Sequence, residues 1–349
     1  MTEQNQRALR ETLTEMPKID LHRHLEGSLR LSTLAELART YSLDVPAHTE
    51  DGLRPHVQIS GAGGDFTDFL SKFPVLRKFY QSPEVIDRLV YEAVEDAADD
   101  NVRYLELRFN PVALAHARKF SLEDVTDWVI AAVQRAETDF DTQVRLIVTL
   151  NRREFDRAQK VLAVALDRMD EGIVGVDLAG DEANYPADPF ARSFHDAREA
   201  ELGITVHAGE WSGPETIRYA IEHLEADRIG HGVRVLEDSE ITKLALDRGV
   251  AFEVCITSNV QSGVVSDVEH HPLPKLHQME LGTTINTDDP AVSDVTLTDE
   301  FEIACTQLDL GLDDVKKMIV TAAEHAFLPL DERNALADRF RRDLGLETV

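Results

Sequence analysis

The stretch Ile19-Asp-Leu-His-Arg-His24 is an apolar run that ends in two histidines. Successive side chains of a β-strand point to opposite faces, so His22 and His24 lie on the same side of such a strand. A His-x-His pair alone is a weak signal of a metal site. Its position at the end of the first apolar run, directly before Glu26-Gly27, strengthens the signal.

Three later stretches have the same construction, an apolar run that ends in histidine or a carboxylate. They are Ile204-Thr-Val-His-Ala-Gly-Glu210, Arg228-Ile-Gly-His-Gly232 and Thr284-Ile-Asn-Thr-Asp-Asp-Pro290. In a (β/α)8 barrel every strand ends on the same face, and the active site is built there. We therefore expect four side chains to bind one metal ion, and their nitrogen and oxygen donors favour zinc. The four are His22, His24, His207 and Asp288.

Short apolar runs alternate with longer amphipathic stretches along the chain, which is typical of βαβ units and a parallel sheet. The predicted strands are Lys18–His22, Arg103–Phe109, Val144–Leu150, Ile173–Leu178, Ile204–Ala208, Arg228–Gly230, Ala251–Cys255 and Thr283–Thr287. Eight units indicate closure into a barrel, one domain over residues 1–349. The alternative, a doubly wound open sheet, normally carries a glycine-rich phosphate loop after its first strand, and Leu21–Gly27 has none.

A helical insertion is predicted after the first strand, because about 80 residues separate it from the second strand, more than one crossover helix requires. The predicted helices of the chain are Leu31–Tyr41, Pro83–Ala98, Phe190–Leu202, Gly213–Leu224, Ser239–Asp247, Thr298–Leu308 and Leu312–Ala326. The last two follow the eighth strand and are expected to cover the end of the barrel.

An aromatic segment lies within this insertion. Gly61–Gly64 reads as a flexible joint, and the apolar side chains that follow it are spaced i, i+3, i+4 and i+7 on one helix face. These are Phe66, Phe69, Leu70 and Phe73. Such a face indicates either an ordinary core-facing helix or a lid over the barrel mouth.

The bulk composition indicates a cytoplasmic enzyme of a small substrate. The chain has 349 residues and a net charge of −29, which disfavours nucleic acid and anionic membranes as partners. No apolar run approaches the roughly 20 residues of a membrane helix, and the N-terminus lacks a signal-peptide pattern. Cys255 and Cys305 form neither a disulfide framework nor a zinc knuckle. Monomer and homo-oligomer both remain open.

Other polar residues at predicted strand ends suit catalysis. Glu210 could transfer protons beside the metal, or it could be an acid stabilised at a helix N-terminus. His231 could be a ligand, a proton shuttle or a group that orients water. Asp289 could belong to a turn or contact substrate. Gly180 offers a backbone N–H with no side chain in the way. That strand end carries no lysine that could bridge two metal ions, which argues for a site with one metal.

At these residues the chain resembles the adenosine/AMP deaminase branch of the amidohydrolase superfamily. The resemblance covers nearly the whole chain in order, and it is closest to the bacterial adenosine deaminases. Its motifs here are Leu21–Ser28, Asp177–Glu182, Thr205–Glu210, Arg228–Gly232, Glu253–Val260 and Ile285–Pro290. The cytidine deaminase class is different, since its His-x-Glu and Pro-Cys-x-x-Cys motifs do not occur here.

The resemblance implies a role for each candidate residue. It implies one zinc per chain, held by the four ligands above, with Glu210 as proton donor to the purine ring. His231 would orient the attacking hydroxide and act as base and electrostatic stabiliser. Asp289 and the Gly180 N–H would hold the purine edge, while Phe69, Leu70 and Phe73 would belong to a lid.

The resemblance implies adenosine and 2′-deoxyadenosine as substrates, but the chain departs from the family pattern at one position. Many adenosine deaminases carry Asp where this chain has Glu26, and use it on the ribose 5′-hydroxyl. Adenine deaminase and aminofutalosine deaminase are therefore the alternatives. A different hydrolytic reaction or a catalytically inactive relative would be expected to lack the purine-edge residues, a metal ligand or Glu210.

Overall fold

The computed structural model describes residues 2–59, 61 and 64–346, and its centre is a parallel sheet in the order β1 to β8. The strands are β1 Lys18–His24, β2 Val102–Phe109, β3 Gln143–Asn151, β4 Ile173–Ala179, β5 Gly203–Ala208, β6 Arg228–His231, β7 Ala251–Val254 and β8 Gly282–Ile285. Each strand pairs in parallel with the next, from β1–β2 to β7–β8. The (β/α)8 architecture predicted from the sequence is confirmed.

The barrel is closed by a short parallel bridge between Arg23 in β1 and Asp288, which follows β8. The backbone N–H of Asp288 donates to the carbonyl of His22 at 2.7 Å, and the N–H of His24 donates to the carbonyl of Asp288 at 2.8 Å. Strand β8 ends at Ile285, two residues earlier than predicted, although the Asn286 N–H still donates to the carbonyl of Val254 in β7 at 2.8 Å. Closure therefore sets Asp288 beside both histidines.

Helices surround the barrel and follow the strands in alternation. They are α1 Glu3–Glu15, α2 Leu31–Thr40, α3 Glu50–Val57, α4 Phe66–Ser71, α5 Phe73–Leu76, α6 Pro83–Asp99, α7 Pro111–His116, α8 Leu122–Asp139, α9 Ala158–Leu166, α10 Ala191–Glu199, α11 Glu215–His223, α12 Ser239–Arg248, α13 Ile256–Gln261, α14 Leu273–Gln278, α15 Pro290–Ser293, α16 Leu297–Gln307, α17 Leu312–Glu324 and α18 Leu330–Asp343. Local signals fix many of their starts: the Ser82 hydroxyl accepts from Val85 N–H at the head of α6, and Pro83 occupies its first turn. None of the described helices is long and apolar enough to cross a membrane.

The insertion after β1 consists of α2 to α6, and its aromatic segment is two helices instead of the single one predicted. α4 ends at Ser71 and α5 begins at Phe73. Pro74 has no N–H to donate to the carbonyl four residues earlier, so the helix restarts there. The joint predicted at Gly61–Gly64 includes Ala62 and Gly63, which lie outside the described residues.

The C-terminal helices do not simply cover one end of the barrel, as the sequence had suggested. α17 packs against β8 and β1 as an outer helix of the barrel. Phe327, just after α17, lies at the N-terminal ends of the strands, where the Arg228 guanidinium lies 3.5 Å from its ring centroid. The opposite, C-terminal face remains accessible and carries the predicted site.

Candidate active site

The four candidate metal ligands converge at the C-terminal face of the barrel. They come from β1, β5 and the turn after β8, and one donor atom from each lies within 4.8 Å of the others. The Nε2 atoms of His22 and His207 are 3.1 Å apart. Oδ1 of Asp288 lies 3.3 Å from Nε2 of His22 and 3.4 Å from Nε2 of His24.

Buried carboxylates orient two of the histidines from behind. Nδ1 of His22 lies 2.8 Å from Oε2 of Glu253, and Nδ1 of His207 lies 3.0 Å from Oδ1 of Asp177. Arg108 contacts both carboxylates, at 2.9 Å from Glu253 and 3.4 Å from Asp177. With each Nδ1 proton held by a carboxylate, the Nε2 lone pairs of the two imidazoles are directed at one point.

This donor set fits a single zinc ion. Three imidazole nitrogens and one carboxylate oxygen are a usual zinc shell, and the carboxylates behind the histidines are its usual support. The second oxygen of Asp288 accepts a hydrogen bond from the Ser258 hydroxyl at 2.6 Å, which leaves Oδ1 to face the histidines. Without a cation, these four donor atoms, which lie within 4.8 Å of one another, would repel each other through their lone pairs.

Glu210 lies in the loop after β5, and its side chain is buried. The Glu182 carboxylate fixes this loop by accepting from the backbone N–H groups of Gly209 at 2.8 Å and Trp211 at 2.8 Å. Desolvation raises the pKa of Glu210 well above its usual value, and the charges of Asp288 and Glu182 raise it further. Helix α11 begins only at Glu215, so Glu210 is not an acid in its first turn.

His231 ends β6 and lies close to Glu210 without joining the four-residue cluster. Its Nε2 is 3.7 Å from Oε1 of Glu210 and 4.0 Å from Oδ2 of Asp288. Its backbone φ of +61° is unusual for a residue with a side chain, and such strain is typical of functional positions. His231 therefore lines the cavity next to the metal cluster, whereas Glu253 and Asp177 contact the Nδ1 atoms on the far side of its histidines.

Gly180 and Asp289 form part of the wall next to the metal cluster. Gly180 has a φ of +99°, a conformation that residues with a Cβ rarely adopt. Oδ1 of Asp289 is buried and has no hydrogen-bond partner among the described residues. A Cβ on Gly27 would lie 1.8 Å from that oxygen, so a glycine is required for Asp289 to hold this position.

A cavity of about 190 Å³ joins these groups. Its lining includes every predicted catalytic and substrate-contacting residue: Glu26, Phe69, Leu70, Phe73, Gly180, Glu210, His231 and Asp289. Of the ligands, His24, His207 and Asp288 line it, while His22 lies beneath. A larger cavity, about 1100 Å³, lies at the opposite ends of the strands and contains none of these residues.

The aromatic segment of the insertion contacts the barrel loops over this cavity. The Phe66 ring lies 5.4 Å from the Trp211 ring, and the Phe69 ring lies 6.0 Å from that of Phe73. Phe69 is buried and lines the cavity. This face therefore packs inward over the cavity, with Phe69, Leu70 and Phe73 in its lining, and the role of a lid stays a prediction.

Sequence reasoning missed several polar residues of the cavity, among them Arg77, Asn110 and Glu154. Arg77 Nη1 lies 3.1 Å from Oε1 of Glu154, and Asn110 Nδ2 donates to Oε2 of Glu154 at 2.9 Å. The backbone N–H of Asn110 donates to Glu26 at 2.7 Å, and burial raises the pKa of Glu26 to about 7. Asn110 directly follows the predicted strand Arg103–Phe109, and this position at a strand end was the available signal; Glu154 lies four residues after the predicted strand Val144–Leu150.

A family model and a bacterial relative both match nearly the whole chain. The family model described as adenosine deaminase matches residues 17–342. An adenosine deaminase of Klebsiella pneumoniae is 38% identical over 326 residues, which are 93% of this chain and 98% of that protein.

Solved structures share the fold at lower identity. An adenine deaminase from Arthrobacter aurescens superposes with a TM-score of 0.86 and 27% identity, over 94% of this chain and 98% of that one. An N6-methyl-AMP deaminase from Arabidopsis thaliana superposes with a TM-score of 0.82 and 27% identity, over 95% of this chain and 98% of that one. On the match of both sequence and architecture, the chain belongs to the adenosine deaminase family.

Proposed function

We propose that this chain catalyses the hydrolytic deamination of adenosine, and of 2′-deoxyadenosine, to inosine and ammonia. One observation carries the proposal: a buried carboxyl group, Glu210, lines the same cavity as His24, His207 and Asp288, three members of a four-residue group that could hold a metal ion. The bacterial relative at 38% identity is named an adenosine deaminase.

One zinc ion per chain would be held by the imidazoles of His22, His24 and His207 and by the Asp288 carboxylate. When bound, such an ion lowers the pKa of a water molecule from 15.7 to about 7 and so supplies a nucleophile at neutral pH. Glu253 and Asp177 hold the rings of His22 and His207 in place for it.

Glu210 is the proposed general acid. Addition of water to C6 of a purine pushes an electron pair onto N1, which must then take a proton. Glu210 is buried among other carboxylates, which favours its neutral form at neutral pH, so it has that proton to give. Ammonia leaves when the proton of the new C6 hydroxyl passes to the exocyclic nitrogen and the C6–N bond breaks, which leaves the C6 carbonyl of the product.

The other wall residues are proposed to bind and orient the substrate. Oδ1 of Asp289, which has no hydrogen-bond partner within the described part of the chain, and the backbone N–H of Gly180 would hold the edge of the purine. His231 would orient the attacking water, since its Nε2 faces the space between Glu210 and Asp288. The aromatic face of Phe69 and Phe73 would exclude bulk water, which strengthens polar contacts within the cavity.

A nucleoside is the proposed substrate class, rather than a free base or a nucleotide. Glu26 uses one oxygen on Asn110 N–H, and its carboxyl group lines the cavity, so its second oxygen is available for a sugar hydroxyl. A phosphate at that place would meet the carboxyl groups of Glu26 and Glu154, while the two arginines that line the same cavity, Arg77 and Arg153, are already paired with Glu154 and Asp181. We therefore do not propose for this chain a nucleotide substrate such as the N6-methyl-AMP named for the Arabidopsis neighbour.

The test is ammonia release by the purified, zinc-analysed protein with adenosine, 2′-deoxyadenosine, adenine, AMP and aminofutalosine. We expect the highest kcat/KM with the two nucleosides and about one zinc per chain. An adenine value equal to or above that of adenosine would identify an adenine deaminase instead. If none of these purines releases ammonia, the site catalyses a different hydrolytic reaction.

A further inference from the structure

A chain of hydrogen bonds leads from the backbone of α14 to the ring of His231. The N–H of Leu273 donates to Nδ1 of His271 at 3.1 Å. Nε2 of His271 lies 3.3 Å from Oδ1 of Asn259, and Nδ2 of Asn259 lies 3.0 Å from Nδ1 of His231. Neither Asn259 nor His271 lines the cavity of the proposed substrate.

The direction of every bond in this chain is fixed by its first member. A backbone N–H can only donate, so Nδ1 of His271 must accept, and the proton of a neutral imidazole then resides on Nε2. That Nε2–H donates to the carbonyl oxygen of the Asn259 amide. The amide NH₂ is thereby turned toward His231 and donates to its Nδ1.

His231 is consequently left with its proton on Nε2. We propose that Asn259 and His271 are positioning residues that hold His231 as the Nε2–H tautomer, so that His231 donates a hydrogen bond to the attacking water. A neutral ring of this tautomer has no lone pair at Nε2 and accepts no proton there. The inference rests on the proposed function only for the identity of the water, and it replaces the role of base that the sequence had suggested for His231.

All three side chains are buried, so water does not compete for these hydrogen bonds. The exposed fractions of His231, Asn259 and His271 are 1%, 0% and 4%. Burial also lowers the pKa of His271 to about 3, so that ring stays neutral at physiological pH and keeps a single proton to donate. Rotating the Asn259 amide by half a turn would set its NH₂ against the Nε2–H of His271 and leave Nδ1 of His231 facing an acceptor.

The tautomer of His231 can be read directly by NMR. The full-length protein, with its zinc content measured, is labelled with ¹⁵N-histidine, and two-bond ¹H–¹⁵N correlations separate protonated from unprotonated ring nitrogens. The His231 signals are assigned by their loss in His231→Gln. We expect a protonated Nε2 and an unprotonated Nδ1 for His231, and the same pattern for His271. A protonated Nδ1 on His231 in the wild type would overturn the proposal without any reference to activity.

Asn259→Asp is the decisive variant because it changes one group and keeps the shape. A carboxylate only accepts, so Nδ1 of His231 should gain a proton, and kcat should fall by about 10²–10⁴-fold while KM changes little, as expected when a catalytic imidazole is held wrongly. His271→Leu, which frees the amide to rotate, should give mixed tautomers and a smaller loss. Unchanged spectra and kcat in Asn259→Asp would overturn the proposal.

Asn101→Asp is the matched control. Asn101 lies near the N-terminal ends of the strands, where its side chain donates to the carbonyl of Glu15. This variant should retain both the His231 pattern and kcat. Because the spectra are recorded without substrate, a wild type that shows the expected tautomer but releases no ammonia from adenosine would contradict the proposed function and leave the inference standing.

Discussion

Asp177 holds the ring of His207: its Oδ1 lies 3.0 Å from Nδ1, and both groups are buried. The other oxygen of Asp177 faces Arg108, which also pairs with the carboxylate behind His22. One arginine thus connects the supports of two proposed ligands. The metal site depends on this second layer as well as on the four residues that would touch the ion.

Asp177→Asn should weaken zinc binding by about 10–100-fold, the usual effect of losing a carboxylate behind a ligand histidine. The amide can present its NH₂ to Nδ1 and favour the wrong tautomer of His207. Competition with a chromogenic chelator measures the affinity. Asp181→Asn, four residues away and paired with Arg153, is the control and should bind zinc normally. Equal zinc affinity in Asp177→Asn and wild type would show that the pair has no role in metal binding.

Glu210→Gln should keep the fold and the zinc but lose turnover. The amide can hydrogen-bond to N1 of the purine but cannot deliver a proton, and general acid catalysis contributes about 10²–10⁴-fold. The measurement is kcat for adenosine alongside zinc content and thermal unfolding. A variant with kcat within about tenfold of wild type would remove Glu210 from the mechanism.

His231→Asn should retain its zinc and lose rate. Asparagine tolerates the positive φ of this position, so backbone strain is not added. Four other side chains already form the candidate donor set, and Nε2 of His231 lies 4.0 Å from Oδ2 of Asp288, one of its members. Elemental analysis of the purified variant is the check: protein that emerges without metal would make His231 a ligand.

Phe69→Ala should raise KM for adenosine more than it lowers kcat, because it opens the lid face of the cavity without touching the acid or the ligands. Phe155→Ala is the control, since Phe155 is 55% exposed and does not line the cavity. Both variants are followed by thermal unfolding. A Phe69→Ala protein that is less stable but kinetically normal would mean that this face only fills the core.

The positions of the ligands could be read from the sequence because strand ends in a barrel are forced to one face. His22, His207 and Asp288 each end or follow an apolar run, and topology alone brings them together. Charged residues inside the predicted strands, such as Asp177 and Glu253, also indicate buried partners. A charge in a buried run must have a partner.

Other parts of the site depend on contacts that no local pattern encodes. The pair of Arg77 and Glu154 joins the insertion to the loop after β3. Their meeting depends on where helix α5 restarts, which Pro74 sets. Asn259 lies on the short helix α13, and its link to His271 joins that helix to the segment that precedes α14. Such pairs are fixed by tertiary structure and not by spacing along the chain.

Glu26 provides the sharpest test of the nucleoside assignment. Glu26→Gln should lower kcat/KM for adenosine by about 10-fold or more and change that for 5′-deoxyadenosine much less. The sugar hydroxyl would lose the ionised acceptor that Glu26 offers above its pKa of about 7, and hydrogen bonds to charged groups are worth about 1.5–3 kcal/mol. The ratio of the two kcat/KM values cancels any general damage to the metal site, which matters because His24 is only two residues away.

Glu154→Gln should lower the same ratio in the same direction but by less. Glu154 is held by Arg77 and bonded to Asn110, whose N–H in turn fixes Glu26, so it acts on the sugar through that chain. Glu123→Gln, which removes a carboxylate 3.8 Å from Lys160 on the outside of the barrel, should leave the ratio unchanged. If adenosine and 5′-deoxyadenosine lose activity in parallel in Glu26→Gln, the carboxyl group supports the structure of the wall and does not bind the sugar. If the wild type already treats the two nucleosides alike, the 5′-hydroxyl is not recognised here, and the second oxygen of Glu26 has another partner.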